Sequence, residues 1–225
     1  MEMTSFKHIL PMDIEKESFR IIGAELSERH IALSDDKADV IMRVIHTTAD
    51  FDYATSLAFS DGCIEKACAL LKTGSLIITD TNMALSGINK KSLSALGCDA
   101  HCFMADEDVA DEARNRSVTR AYVSMERAFS FDSTDKSSRS LIFAVGNAPT
   151  ALLSLCDLMQ KGFIPQFVIG VPVGFVNVEA SKVLLETTCA EHGVPFIVNR
   201  GLKGGSTVAA AICNALIYKT LGKRN

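Results

Sequence analysis

The sequence contains four short apolar runs, each of which leads into turn-forming residues and then into a helical pattern. These runs are Ser75–Thr79, Ser140–Val145, Phe167–Val171 and Pro195–Val198. They are apolar at successive rather than alternating positions, which is typical of strands that are buried on both faces of a parallel sheet. Such strands in alternation with helices predict an α/β protein with a mainly parallel sheet.

Helical periodicity is found around these strands. Apolar residues recur at helical spacing in Asp13–His30 and in Asp36–His46, and Asp61 is expected to cap a helix that ends near Gly74. Further helices are expected at Asn89–Leu96, Asp106–Arg116, Thr119–Phe129, Ala151–Gln160, Val178–Ala190 and Ser206–Thr220. The polar segment Ser130–Ser140 is short enough to be a surface loop, so all 225 residues are expected to form a single domain.

Composition excludes several classes of protein. The 23 basic and 27 acidic residues give a net charge of −4, which argues against a nucleic-acid binder with a broad basic surface. The seven cysteines have no C-x-x-C spacing, so neither a disulfide framework nor a zinc site is expected. Neither a signal peptide nor an apolar run of roughly 20 residues is evident. A cytoplasmic protein without membrane contact is therefore expected.

The residues that follow the strands are the place to look for a ligand site, because open α/β sheets bind ligands at the carboxyl ends of their strands. One such segment, Gly201–Ser206, has paired glycines before a helix, and Lys203 adds a positive charge. This pattern is compatible with a tight strand-to-helix turn. It is equally typical of an anion site in which backbone N–H groups and the helix dipole bind a carboxylate or phosphate, and we favour that interpretation.

The candidate residues at the other strand exits each have two possible roles. Asn147 either caps the following helix or reaches into the cleft, and its spacing favours the cap. The apolar segment Val173–Val176 either lies against a flat ring or belongs to the core. Asp80 and Asn82 directly follow a strand, where ligand contact and turn formation are equally common.

His46 is the histidine with the clearest chemical potential. It lies near the predicted end of an amphipathic helix, and a helix C-terminus stabilises an imidazolium that can act as a general acid. By spacing alone, a structural histidine at a helix end is the commoner interpretation. The residues by themselves thus predict an α/β protein whose sheet edge favours anions, without a metal, nucleotide or covalent-catalysis motif.

Seven motifs, in order along nearly the whole chain, are similar to those of the precorrin-8X methylmutase family. They are Arg43–Phe51, Thr79–Met83, Thr119–Arg120, Val145–Leu152, Gly170–Val176, Ser181–Lys182 and Gly204–Ser206. The resemblance implies a homodimeric, three-layer α/β/α enzyme of cobalamin biosynthesis with its active site near the subunit interface. It also implies a cofactor-independent 1,5-sigmatropic shift of a methyl group from C-11 to C-12 of precorrin-8X or cobalt-precorrin-8, which gives hydrogenobyrinic or cobyrinic acid.

The resemblance also assigns site residues. The family's catalytic histidine, the proton donor, falls on His46, and an arginine important to the site falls on Arg120. An anionic corrinoid with many carboxylates would find further partners among Arg43, Thr47, Asp80, Asn82, Asn147, Lys182, Lys203, Gly204, Gly205 and Ser206. Leu202 replaces an expected basic residue, and Asn177–Glu179 departs from the family pattern. The alternative hypothesis is a tetrapyrrole-binding or carrier protein that holds the ring without converting it.

Overall fold

The computed structural model describes residue 10, residues 13–134 and residues 139–223. The helices are α1 (Ile14–Glu28), α2 (Ala38–Thr48), α3 (Tyr53–Ser56), α4 (Cys63–Lys72), α5 (Asn82–Gly87), α6 (Lys90–Ser94), α7 (Glu107–Arg116), α8 (Arg120–Thr134), α9 (Pro149–Gln160), α10 (Val178–His192) and α11 (Ser206–Thr220). The strands are β1 (Leu57–Phe59), β2 (Leu76–Thr79), β3 (Asp99–His101), β4 (Leu141–Val145), β5 (Phe167–Gly170) and β6 (Phe196–Asn199).

The strands form one sheet in the order β1-β6-β5-β4-β2-β3. β1 runs antiparallel to β6, and every other neighbouring pair is parallel. The four strands expected from the sequence are confirmed and form the centre of the sheet, where every one of their residues is buried. Burial on both faces accounts for their unbroken apolar sequences.

Two hydrophobic cores lie on the two faces of the sheet, because successive residues of a strand point to opposite sides. On one face, Ile77 and Ile142 pack against helices α1, α2, α4, α5, α6 and α11. On the other face, Ile78 and Phe143 pack against helices α7, α8, α9 and α10. The expected three-layer α/β/α architecture with a mainly parallel sheet is therefore confirmed.

Several local expectations were wrong. The edge strands β1 and β3 were not expected from the sequence; each has three residues, too few to show a pattern. Gly62, in a left-handed conformation with φ 63°, is the N-cap of α4 in place of Asp61. The segment after β2 is not a plain loop, because α5 begins there and the Thr81 side chain accepts a hydrogen bond from the Ala84 N–H at 3.1 Å.

The polar segment Ser130–Ser140 is only partly described. Residues 130–134 continue α8, so the expected loop is wrong over that stretch, and residues 135–138 lie outside the described residues. The other predicted helices are confirmed, with ends that shift by a few residues. Within the described ranges, each helix is too short or too polar to cross a bilayer.

Candidate active site

The exits of β2, β4, β5 and β6 meet at one edge of the sheet, because these strands are parallel and adjacent. Backbone hydrogen bonds connect the segments after β5 and β6. The Gly205 N–H donates to Val171 O at 2.9 Å, and the Gly174 N–H donates to Leu202 O at 3.3 Å. The four exits therefore form one continuous surface, which we call the rim.

Asp80, which follows β2, binds the backbone of the β4 exit. Its side chain is fully buried, and its carboxylate accepts hydrogen bonds from the backbone N–H groups of Gly146, Asn147 and Ala148, each at 2.8 Å. Burial raises the pKa of Asp80, and the three N–H donors oppose that rise. Asp80 thus binds the backbone at the start of α9, and its oxygens face these amides instead of a ligand.

This arrangement shows that Asn147 does not cap α9 with its side chain. Ala148 is the N-cap residue of α9 and is without a side-chain cap of its own, so Asp80 supplies the acceptor for these N–H groups. The expected cap by Asn147 is wrong, and the Asn147 side chain is exposed on the rim. Asn82, the first residue of α5, is also exposed there.

The glycine-rich segment after β6 is shaped by close packing. A Cβ atom at Gly204 would lie 2.1 Å from Val171 O, so only glycine fits at that position. Gly205 has φ 141°, and its N–H is used in the bond to Val171 O. Ser206 is buried, with its Oγ 2.8 Å from Thr81 Oγ1. These contacts favour the tight-turn interpretation of the paired glycines over an anion cradle.

Lys182 lies beneath the same segment. It belongs to α10, its side chain is 1% exposed, and its ammonium donates to Gly201 O at 2.7 Å and to Lys203 O at 2.8 Å. Burial lowers the pKa of Lys182 to about 8. The donors of Lys182 face backbone carbonyls in the interior, so the structure gives no support for its expected contact with a substrate carboxylate.

Lys203 joins the rim to the end of α2. Its ammonium lies 2.6 Å from a carboxylate oxygen of Asp50 and 2.6 Å from one of Asp52. These carboxylates raise the pKa of Lys203, and Lys203 lowers the pKa of Asp50. The sequence reasoning did not identify Asp50 and Asp52, which are more than 150 positions away along the chain. The lysine charge is thus already balanced within the protein.

His46 lies in the last turn of α2, close to this ion cluster along the chain. The helix ends at Ala49, which adopts a left-handed conformation with φ 54°. The imidazole is exposed and stacks on Phe19, with 5.3 Å between the ring centroids. Neighbouring Thr47 is also exposed, and its hydroxyl donates to Arg43 O at 2.9 Å. The structure therefore presents the predicted proton donor to solvent instead of to the core.

Arg43, one turn earlier in α2, is directed inward. It is 8% exposed, forms an ion pair with Glu15 of α1, and lies 5.0 Å from the ring centroids of both Phe19 and Tyr218. These contacts bind the guanidinium between α1, α2 and α11. A role of Arg43 in holding the histidine's helix fits this geometry better than direct contact with a ligand.

Arg120 lies on the opposite side of the same edge. It is the first residue of α8, is exposed, and donates to Met104 O at the long distance of 3.4 Å. The hydroxyl of the preceding Thr119 lies 2.7 Å from that of Thr150, in the first turn of α9, which begins at the rim. Among the described residues, Arg120 has no carboxylate partner, in contrast to Arg43 and Lys203.

Apolar side chains accompany these polar groups. Phe175 is 89% exposed and Val176 79% exposed, so the core alternative for Val173–Val176 is wrong at these two residues. Met83, in the first turn of α5, is 66% exposed, and the sequence did not single it out. The rim thus offers flat apolar surface beside amides, hydroxyls and one arginine. A cluster of three metal-ligating side chains is not found within the described ranges.

Comparisons with known proteins give a consistent result. The family model described as "Precorrin-8X methylmutase" matches residues 13–219. The cobalt-precorrin-8 methylmutase of Leptospira interrogans is 40% identical over 92% of this chain and 93% of its own length. That of Salmonella typhimurium is 40% identical over 92% of this chain and 95% of its own length. A crystal structure of the Thermus thermophilus precorrin-8X methylmutase superposes with a TM-score of 0.80 at 34% identity, and the match covers 93% of this chain and 98% of that one.

Proposed function

The chain belongs to the precorrin-8X methylmutase family, and from this premise we propose that it isomerises precorrin-8X or cobalt-precorrin-8 with His46 as the proton donor. The reaction is the methyl shift from C-11 to C-12 of the macrocycle, a step of cobalamin biosynthesis. The observation that carries the role of His46 is its exposure in the last turn of α2, a helix that is followed by Asp50 and Asp52, the ion-pair partners of Lys203 on the rim.

The chemistry requires little from the protein. A sigmatropic shift proceeds without a nucleophile or a redox partner. It needs a proton delivered to a ring nitrogen and a site that fits the rearranged ring better than the substrate. Phe19 restricts the orientation of the His46 imidazole through the stacking contact.

The carboxylates of the substrate would contact the exposed polar side chains of the rim. Arg120 is an exposed cation without a carboxylate partner in the part of the chain that the structure describes, so it is the first candidate for a charge-assisted bond. Asn82 and Asn147 supply neutral donors at the exits of β2 and β4, whereas the Thr47 hydroxyl already donates to Arg43 O. The exposed Phe175 would lie against the apolar face of the macrocycle.

We propose a cytoplasmic homodimer as the working form. Support for the dimer comes from exposed apolar residues of the β5 exit and α10: Phe175, Val176, Val183 and Leu184 are between 43% and 89% exposed. Such side chains in proximity are typical of a surface that another protein covers. A monomeric mass in sedimentation velocity would contradict this proposal.

The test of the proton donor is His46→Ala, assayed with precorrin-8X and with cobalt-precorrin-8. Loss of a general acid is expected to lower turnover at least about 100-fold, while affinity for the product stays within about tenfold. His192→Ala is the matched control, because His192 is likewise in the last turn of a helix, α10, which leads into the opposite end of β6. Turnover by the control should equal that of the unaltered protein.

The same assay distinguishes an isomerase from the alternative, a protein that binds or carries the tetrapyrrole. A carrier would bind the ring in visible-absorbance titrations and leave its methyl group at C-11, whether or not His46 is present. Unchanged turnover in His46→Ala would instead remove His46 from the mechanism and retain the isomerase. Each result thus points to a different conclusion.

A further inference from the structure

The β6 exit is supported from the interior by a buried lysine. Lys182 is 1% exposed, and its Nζ donates to Gly201 O at 2.7 Å and to Lys203 O at 2.8 Å. Buried ammonium groups are nearly always paired with a carboxylate, because transfer of a charge out of water is costly. Here the ammonium donates hydrogen bonds to carbonyls of one segment, residues 201–203, and Glu179 of the same helix contributes an electrostatic attraction. The bonds to the carbonyls indicate that the lysine is placed to shape that segment.

Asn199 assists at the same carbonyl. This residue is buried at the end of β6, and its Nδ2 donates to Lys203 O at 2.8 Å and to Arg200 O at 3.2 Å. Its Oδ1 in turn accepts from the Ser56 hydroxyl at 2.6 Å. Lys203 O therefore receives two side-chain donors, from α10 and from β6, and the backbone at Lys203 is fixed from two directions.

The fixed backbone decides where the Lys203 side chain points. Its ammonium bridges Asp50 and Asp52, which follow the last turn of α2. Gly204 then packs against Val171 O so closely that even a Cβ atom would collide. The segment thus connects the buried lysine to the helix end that carries His46.

From these contacts we infer that Lys182 is a positioning residue for the rim, which acts by holding the carbonyls of Gly201 and Lys203 and not by contact with a ligand. This inference rests on the proposed function for its consequence in catalysis. The effect of Lys182 on the backbone of residues 200–206 can be measured whether or not the reaction occurs.

The first measurement is hydrogen–deuterium exchange of Lys182→Met in the full-length protein. Methionine retains the apolar stem and removes the donors, so amides in residues 200–206 are expected to exchange at least about tenfold faster. Exchange in residues 146–150, which Asp80 holds, should stay within about twofold of that in the unaltered protein. Lys219→Met is the matched control, since it removes a lysine that pairs with Asp39 at the far end of α11.

The second measurement is steady-state kinetics. A displaced rim weakens binding of substrate and transition state together, so KM should rise about tenfold with kcat within about threefold. The double variant with Lys203→Met should raise KM by less than the product of the two single effects, because both changes act on the same segment. If the unaltered protein does not convert the substrate, the proposed function fails and the exchange result still decides the role of Lys182.

Three results would overturn the inference. The first is exchange in residues 200–206 that matches the Lys219→Met control, and the second is a kcat that falls while KM is unchanged. Should Lys182→Met not fold, Lys182→Gln takes its place, since the shorter amide retains a donor but cannot reach both carbonyls, and the same acceleration of exchange is expected. The third result is failure of both variants to fold, which would show that Lys182 supports the whole core and not one segment.

Discussion

Two exits of the same sheet are shaped by buried charges of opposite sign. At the β4 exit, the carboxylate of Asp80 gathers three backbone N–H groups, whereas at the β6 exit the ammonium of Lys182 gathers two backbone carbonyls. Burial raises the pKa of Asp80 and lowers that of Lys182, so in both cases desolvation disfavours the charged form. Each charge is stabilised by backbone dipoles of the loop that it organises.

The comparison explains why a charged residue near a ligand site need not touch the ligand. The N–H groups that Asp80 binds belong to Gly146, Asn147 and Ala148, the segment that leads into α9, and without Asp80 they would be available to an anion. The carbonyls that Lys182 binds would otherwise repel a carboxylate. Both buried residues therefore control which backbone groups face the rim.

The largest effect is expected for Asp80→Ala. Three N–H groups, one buried and two partly buried, would lose the buried carboxylate that accepts from them, so the free energy of unfolding should fall by about 3–5 kcal/mol in urea titrations at neutral pH. Asp39→Ala is the control, because Asp39 forms a partly exposed ion pair with Lys219 and its loss should cost less than about 1 kcal/mol. Equal losses in the two variants would show that the carboxylate does not organise the β4 exit.

A smaller effect is expected from the titration of Lys182. Its pKa of about 8 in the folded chain lies below its ordinary 10.5, so between these values the unfolded chain binds more protons and the free energy of unfolding rises with pH. One pKa unit corresponds to about 1.4 kcal/mol, which limits the gain to about 3 kcal/mol.

The measurement compares the unaltered protein with Lys182→Met in urea between about pH 8 and about pH 10. Groups common to both proteins cancel in the difference, so the stability of the unaltered protein relative to the variant should increase with pH. If the difference in the free energy of unfolding does not change with pH, the ammonium is hydrated. Lys182 would then not be a buried charge comparable to Asp80.

The smallest effect is expected for Lys203→Met. Lys203 is half exposed and its pairs with Asp50 and Asp52 are in contact with solvent, so the free energy of unfolding should fall much less than in Asp80→Ala. A loss as large as that of Asp80→Ala would show that the surface cluster, not the buried lysine, holds the β6 exit. Urea titration under the same conditions provides the comparison.

The sequence by itself determined the order of helices and strands and the edge at which the central strands end. These features depend on apolar periodicity and on residues close together in the chain, which is why the β4 strand and α11 were predicted within a residue. The motifs around His46 and Arg120 likewise identified the family. The edge strands escaped prediction, because β1 and β3 form by pairing with a neighbour's backbone and, at three residues each, are too short to show a pattern of their own.

Only the tertiary structure decided which charged residues are available to a ligand. Arg43, Asp80, Lys182 and Lys203 have partners between 19 and 153 positions away along the chain. A local pattern contains no information about such partners, since the energy of a charge depends on its burial and on whatever the fold brings within hydrogen-bonding distance. For that reason the sequence identified six titratable residues as candidates for the site, and the fold left two of them, His46 and Arg120, exposed and without a carboxylate partner among the described residues.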